Sequence, residues 1–330
     1  MKQSPLLGDS LFWNQPRWQG QRGFYEVYFL KFNRVESAQA WWLRYTLTVS
    51  LNGEVEGAVW AFWFDGRQPE QNRALRTVFA PSQIRWGFPL QLGEENRLEH
   101  HRAKGWLESP QGFLRWELEW EPSPEAVGLF PARWMYERAF PRTKYVAPNW
   151  NVRLSGVIEH EGERVSLERV PAQQAHLWGT GYAERWVWAH CNAFEGSPDV
   201  VFEGLEAQVR LGRFRLPPLR MLCLYAGGHW YVPRPSWGRD SQSAIGWWRF
   251  RGASRGFTLE GTVQAAVERM LGARYRTPSG EERWCHNSKL ASLQLRLRGS
   301  GGSETLWQTS SACAAEWVEP SPDPRLGVWV

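Results

Sequence analysis

From Phe24 onward, strand-like period-two patterns dominate the chain. FYEVYFLKF (Phe24–Phe32), AWWLRYTLTV (Ala40–Val49), GAVWAFWF (Gly57–Phe64) and FLRWELEW (Phe113–Trp120) are aromatic and β-branched runs of strand length. The turn-forming NGE (Asn52–Glu54) separates the second from the third. This pattern predicts antiparallel strands joined by short connections. Helical spacing is scarce: PEQNRALRTVF (Pro69–Phe79) has room for one short helix, and VQAAVERML (Val263–Leu271) fits either state. The chain reads as all-β.

PRTKYVAPNWN (Pro141–Asn151), with its two prolines, reads as a linker. Strand periodicity restarts after it with VRLSGVIEH, a turn at EGE and RVSLERV. The two halves echo each other. EVYFLKF followed by AWWLRYTLTV matches the layout of RWVWAHCNAF followed by VVFEGLEAQVR, and HRAKGWLESPQGFLRWELEW matches FRGASRGFTLEGTV. The expectation is two tandem β-domains, 1–146 and 147–330, each a barrel or sandwich with its edges closed on themselves.

Composition adds one anomaly. Among 330 residues there are 23 tryptophans, beside 16 Phe and 9 Tyr. So many indoles imply either aromatic-walled cavities or an unusually aromatic core, and each buried indole N–H wants a partner. The net charge of +5 is mild, and Arg residues alternate with Glu, Trp and Leu without clustering. That argues against a nucleic-acid face. Cys191, Cys223, Cys285 and Cys313 are scattered, with no CxxC pair, which points to free thiols in a reducing compartment. The N-terminus lacks the apolar core of a secretory signal, and no apolar run approaches the ~20 residues of a membrane span. The expected location is cytoplasmic. GSGGSE (Gly299–Glu304) lacks the Lys-Ser/Thr and the following helix of a phosphate loop and reads as a turn.

Candidate chemistry concentrates in QAHLWGTGYAERWVWAHCN (Gln174–Asn192). Drawn as a strand, ERWVWAHCN puts Glu184, Trp186, Trp188, His190 and Asn192 on one face and Arg185, Val187, Ala189 and Cys191 on the other. The mixed aromatic and polar face has the makeup of a pocket wall. His190-Cys191 and Cys285-His286 suggest metal ligands, but neighbours on a strand point to opposite faces, so no metal is expected. His176 reads as part of a Gly-rich loop entering the strand, and the Gly179–Gly181 turn would fold it back toward His190.

HLWGTGYAERWVWAHCNAF, together with FYEVYFLKF, AWWLRYTL and ERWCHNSKLASLQL, resembles the carotenoid 1,2-hydratase (hydroxyneurosporene synthase) and AttH-like group, which is related to tocopherol cyclases and fungal decalin-forming cyclases. The similarity runs from about Gly23 to Leu295. It implies two lipocalin-like (calycin) β-domains and cofactor-free chemistry on isoprenoid or polyene substrates. It also carries over His176 and Trp178 of the HxWG segment and Trp188, His190 and Asn192 of the following strand. Glu203 in VVFEG stands where a strand acid is expected, without the Tyr-x-Asp spelling of the hydratases.

Hydrating or cyclising an isoprenoid begins by protonating a C=C bond, which needs an acid kept protonated in an apolar pocket. The resulting cation gains about 0.5–2 kcal/mol from each indole or phenol face it meets. The candidate acid–base residues are Glu26, His176, His190 and Glu203, with Glu184 behind them. The substrate wall comprises Trp178, Tyr182, Trp186, Trp188 and Asn192. The expected partner is a hydrophobic small molecule, gathered through peripheral contact with a membrane. Two rival readings remain at this stage: a non-catalytic lipocalin-like carrier, or an interaction module with Trp-rich faces. Oligomeric state is left open.

Overall fold

The computed structural model describes residues 4–238, 241–327 and 329–330. Strands dominate them. The only α-helices among these residues are the single turns α1 (Ser10–Asn14) and α2 (Trp134–Glu137). No helix among the described residues is long and apolar enough to cross a membrane. Pro69–Phe79 is not a helix: Pro69–Gln71 forms one 3-10 turn and Arg73–Phe79 is a strand. In Val263–Leu271 the strand ends at Gln264, and a 3-10 turn covers Val267–Arg269.

Two antiparallel sheets account for nearly all strands. The first runs, in spatial order, Arg73–Phe79, Val55–Asp65, Gln39–Val49, Phe24–Arg34, Glu163–Gly179, Thr143–His160, Gly112–Trp120 and Arg102–Ser109, followed by three short strands. It curls until Arg73–Phe79 approaches Arg102–Ser109 and Gly112–Trp120, giving a near-barrel. The second runs His229–Tyr231, Leu219–Ala226, Val201–Gln208, Arg185–Cys191, Glu304–Glu319, Glu282–Gly299, Phe257–Gln264, Trp247–Ser254 and Ser241–Ala244.

The order repeats. In each sheet a long hairpin (Thr143–Gly179 or Glu282–Glu319) lies between one early strand and a later hairpin. Phe24–Arg34 thus occupies the place of Arg185–Cys191, and the Arg102–Trp120 hairpin that of Trp247–Gln264. These are the segments whose sequences echo each other. The sheets change hands between Gly179 and Arg185, not at 146/147. The expected linker, Pro141–Asn151, is instead largely strand from Thr143. Pro148 is accommodated because the ladder shifts register between Val146 and Asn149, so no paired amide is needed there.

Two sheets make three apolar layers, which is where the aromatic residues go. Tyr28, Phe32, Trp41, Trp63 and Trp116 fill the first barrel, and Phe202, Trp248, Phe250 and Trp317 fill the second sheet's inner face. A third layer between the sheets holds Phe29, Trp42, Trp60, Phe62, Tyr145, Trp188 and Tyr275. Phe24–Arg34 is covered on both faces, which explains why its odd and even positions are both apolar.

Candidate active site

The two faces of the Glu163–Gly179 strand divide the candidate residues into two groups. Tyr28, His176 and Trp178 are together on the face that closes the first barrel's mouth, where the Tyr28 and His176 rings stack at 4.2 Å and Trp178 lies 4.6 Å from His176. His176 is part of that strand, not of a loop. Glu26 joins it: His176 Nε2 lies 2.7 Å from Glu26 Oε1, and His176 Nδ1 lies 2.8 Å from the Trp13 carbonyl. Acceptors thus face both ring nitrogens, the Glu26 carboxylate at Nε2 and the Trp13 carbonyl at Nδ1. Glu26 also accepts N–H bonds from Arg17 (2.6 Å), Trp18 (3.0 Å) and the Trp86 indole (2.8 Å). Burial alone would raise its pKa, but these bonds and His176 outweigh it and hold the carboxyl below its ordinary value.

Tyr28 Oη donates to the Asn14 carbonyl at 3.1 Å, and Asn14 bonds Gln174. Residues 10–18 therefore form a strap sewn across the barrel mouth, with Glu26 and His176 as its fastening. Both are fully buried beneath it.

The second group faces the layer between the sheets. As the alternation predicted, Arg185–Cys191 is a strand with Val187, Ala189 and Cys191 in the second sheet's core. Trp186 and Trp188 line the intersheet layer, and the Trp188 and His190 rings lie 6.3 Å apart, nearly parallel. Trp186 continues into an aromatic cluster with Tyr182 (5.8 Å) and Tyr275 (6.3 Å), while Tyr25 lies 4.2 Å from Tyr182. The expectation that His176 and Trp178 converge with Trp188 and His190 on one cavity is therefore corrected. The stretch Gln174–Asn192 spans two sheets, and its two histidines belong to different compartments.

Glu203 is the acid of the intersheet group. It is cross-strand neighbour to His190 on one side and to Cys223 on the other. Its Oε1 accepts bonds from Tyr145 Oη, Gln173 Nε2 (3.0 Å) and Trp188 Nε1 (3.0 Å). No described residue hydrogen-bonds Oε2. Burial raises the carboxyl pKa and outweighs the opposing pull of these donors and of Lys31. This is an acid that stays protonated above the usual carboxylate range, with one oxygen open.

His190 is its complement. Burial, with the nearby Lys31 charge, holds its pKa well below the ordinary value, so the ring is neutral. Nε2 donates to the Trp150 carbonyl at 3.0 Å, which leaves the lone pair on Nδ1, and Nδ1 has no partner among the described residues. His190 cannot act as an imidazolium acid here, but it is built as a base. Directly opposed side chains on a ladder have Cβ atoms about 4.5–5.5 Å apart, so an open acid and an open base stand side by side.

Lys31 Nζ donates to Asn192 Oδ1 at 2.8 Å, and burial lowers its pKa to about 8. Asn192 in turn donates to Asn151 and to the Ala172 carbonyl, so it is committed to joining the sheets. Lys289 bonds Glu316 at 3.0 Å and sits 4.1 Å over Trp42 and 5.4 Å from Trp188, so a protein cation already occupies part of the Trp188 face. Glu184 is removed from the site: Arg210 and Arg215 pair with it and, against the effect of burial, hold its pKa down. All four cysteines are free and buried.

A cavity of about 40 Å³ is walled by Leu129, Phe130, Met221, Cys223 and Val232; of the intersheet group only Cys223, the cross-strand neighbour of Glu203, lines it. Tyr145, Gln173, Lys31 and Cys223 were missed by the sequence reading. Lys31 alone carried a signal: it sits in a strand apolar at both parities, where any charge must be buried.

A model of the family described as tocopherol cyclase-like matches residues 143–318. That span contains Tyr145, Gln173, Trp188, His190 and Glu203 but neither Glu26 nor Lys31. An uncharacterized protein of Mycobacterium tuberculosis is 25% identical over 297 residues, covering 86% of this chain and 84% of its own. A chloroplastic tocopherol cyclase of Zea mays is 26% identical over 273 residues; the match covers 76% of this chain but 54% of the plant protein. Among solved structures, an AttH protein of Nitrosomonas europaea shares the fold, with a TM-score of 0.55, 10% identity, and coverage of 90% of this chain and 91% of that one. Kievitone hydratase of Nectria haematococca aligns with a TM-score of 0.50 at 8% identity, over 89% and 88% of the two chains.

Proposed function

The chain belongs to the tocopherol cyclase-like family, and on that premise we propose that it is a cofactor-independent hydratase or cyclase of a hydrophobic isoprenoid or polyene, with Glu203 as the proton donor. The observation that carries this reading is the pairing of an open, raised-pKa acid with an open, neutral base on adjacent strands. Glu203 Oε2–H adds its proton to a C=C bond, leaving a tertiary cation and a carboxylate. Tyr145, Gln173 and Trp188 already point at Oε1 and stabilise the new charge without rearranging. Water, or a hydroxyl of the substrate, closes onto the cation, and His190 Nδ1 takes the proton that oxygen loses. Return of that proton to Glu203, the cross-strand neighbour, resets both groups.

At about 40 Å³, the cleft as it stands has room for no more than a few waters. A lipid-sized ligand needs roughly 300 Å³ or more. Substrate entry therefore requires the cleft lined by Leu129–Pro131, Val232, Pro233 and Pro235 to widen and extend to Glu203. The test is to incubate the protein with prenylated phenols and linear polyenes in D₂O and read the products by mass spectrometry. Turnover places one deuterium on carbon, and Glu203→Gln abolishes it while ligand binding survives. Unimpaired turnover by Glu203→Gln would refute the assignment. Binding without turnover in the wild type would make the protein a carrier.

A further inference from the structure

Four large apolar side chains are exposed along the strap and the α2 region: Leu11 (50%), Phe12 (50%), Trp134 (52%) and Phe140 (55%). The two segments touch. Trp13 lies edge-on to Tyr136 at 5.5 Å, and the Arg133 guanidinium lies 5.8 Å over Trp13. Each helix is a small amphipathic turn. α1 buries Trp13 and Asn14 and exposes Leu11 and Phe12; α2 buries Met135 and Tyr136 and exposes Trp134.

The charge around them is mainly positive. Arg17, Arg133, Arg138 and Arg142 belong to these segments, against Asp9, which caps α1, and Glu137, which pairs with Arg133. Exposed aromatics among arginines fit the headgroup boundary of an anionic bilayer, where rings enter the interface and guanidinium groups meet phosphate.

The position gives the patch a purpose. The Phe130 amide donates to Tyr136 Oη at 2.9 Å, and Phe130 is a wall of the cleft that Cys223, the cross-strand neighbour of Glu203, also lines. We propose that this patch seats the protein on an anionic membrane surface, with the cleft mouth beside the bilayer from which an apolar substrate is drawn. The purpose rests on the proposed function; the docking itself does not.

The test is flotation with vesicles free of substrate, either phosphatidylcholine alone or about two parts phosphatidylcholine to one of phosphatidylglycerol. The wild type floats with the anionic vesicles and is released by salt. Trp134→Ala/Phe140→Ala weakens binding at least tenfold, and Arg133→Gln/Arg138→Gln weakens it by about fivefold per arginine on anionic vesicles only. Trp237→Ala, exposed elsewhere, changes nothing. Absence of wild-type flotation at low salt would overturn the proposal. So would patch variants that bind like wild type, or a patch that light scattering shows to mediate self-association while vesicles stay bare. Because the vesicles carry no substrate, this failure and a failure of the deuterium experiment are read separately.

Discussion

Replacing Glu26 by alanine should unfasten the strap and leave the intersheet site intact. The carboxylate holds four N–H groups: the Arg17 and Trp18 amides, the Trp86 indole and His176. At about 1.5–3 kcal/mol per bond to a charged group, a simple sum would come to about 6–12 kcal/mol. The strap amides can swing out to water, however, so the residual penalty is mainly that of the buried His176 ring stranded without its carboxylate. Breaking a buried pair by removing one partner costs about 3–5 kcal/mol. For a chain of 330 residues, with an unfolding entropy of roughly 0.7 kcal/mol/K, that is a loss of about 4–7 °C in Tm. Glu26 has a depressed folded pKa, so its contribution is present above the ordinary value of 4.5 and vanishes as pH falls through the folded value. The assay is differential scanning fluorimetry of both proteins across pH, with limited trypsin digestion at Arg17. A loss under 1 °C at pH 7, a difference that persists undiminished at strongly acid pH, or an Arg17 bond still protected would each show that Glu26 is not the fastening.

The remaining predictions concern the layer between the sheets. Glu203 has the opposite sign: its raised folded pKa makes it a burden that grows as pH rises above 4.5, each tenfold gain in proton affinity on folding costing about 1.4 kcal/mol once the group must ionise. Glu203→Gln should therefore gain stability relative to wild type as pH increases, and a flat difference across pH would contradict the raised pKa. Lys289→Met strands Glu316 and should cost about 3–5 kcal/mol, while Lys289→Met/Glu316→Leu should recover most of it; urea unfolding midpoints that show no recovery would refute the pairing.

Much of this fold is legible in the period-two pattern, because a strand's alternation needs no knowledge of its partner. FYEVYFLKF, AWWLRYTLTV and GAVWAFWF all lie within observed strands, and the echoes between the halves fall on topologically equivalent ones. Alternation also placed Trp186, Trp188 and His190 on a common face. What it cannot supply is the relation between faces on two strands joined by a turn. His176 and His190 are fourteen positions apart, yet the chain changes sheets between them. Their compartments are set by which face of each sheet meets the other, a tertiary fact. Tyr145 and Gln173 are 58 and 30 residues from Glu203, and no spacing rule links them. Proline misled the domain boundary, since Pro148 sits at a bulge and not in a linker.

The acid and its three donors are split between the halves. Glu203 and Trp188 come from the second sheet, Tyr145 and Gln173 from the first. Neither repeat owns a site. A single repeat on its own could assemble this donor set only across an interface with a second copy. Glu203 and His190 themselves both come from the second sheet. A change at Tyr145 or Gln173, on the first sheet, therefore alters the acid carried by the second.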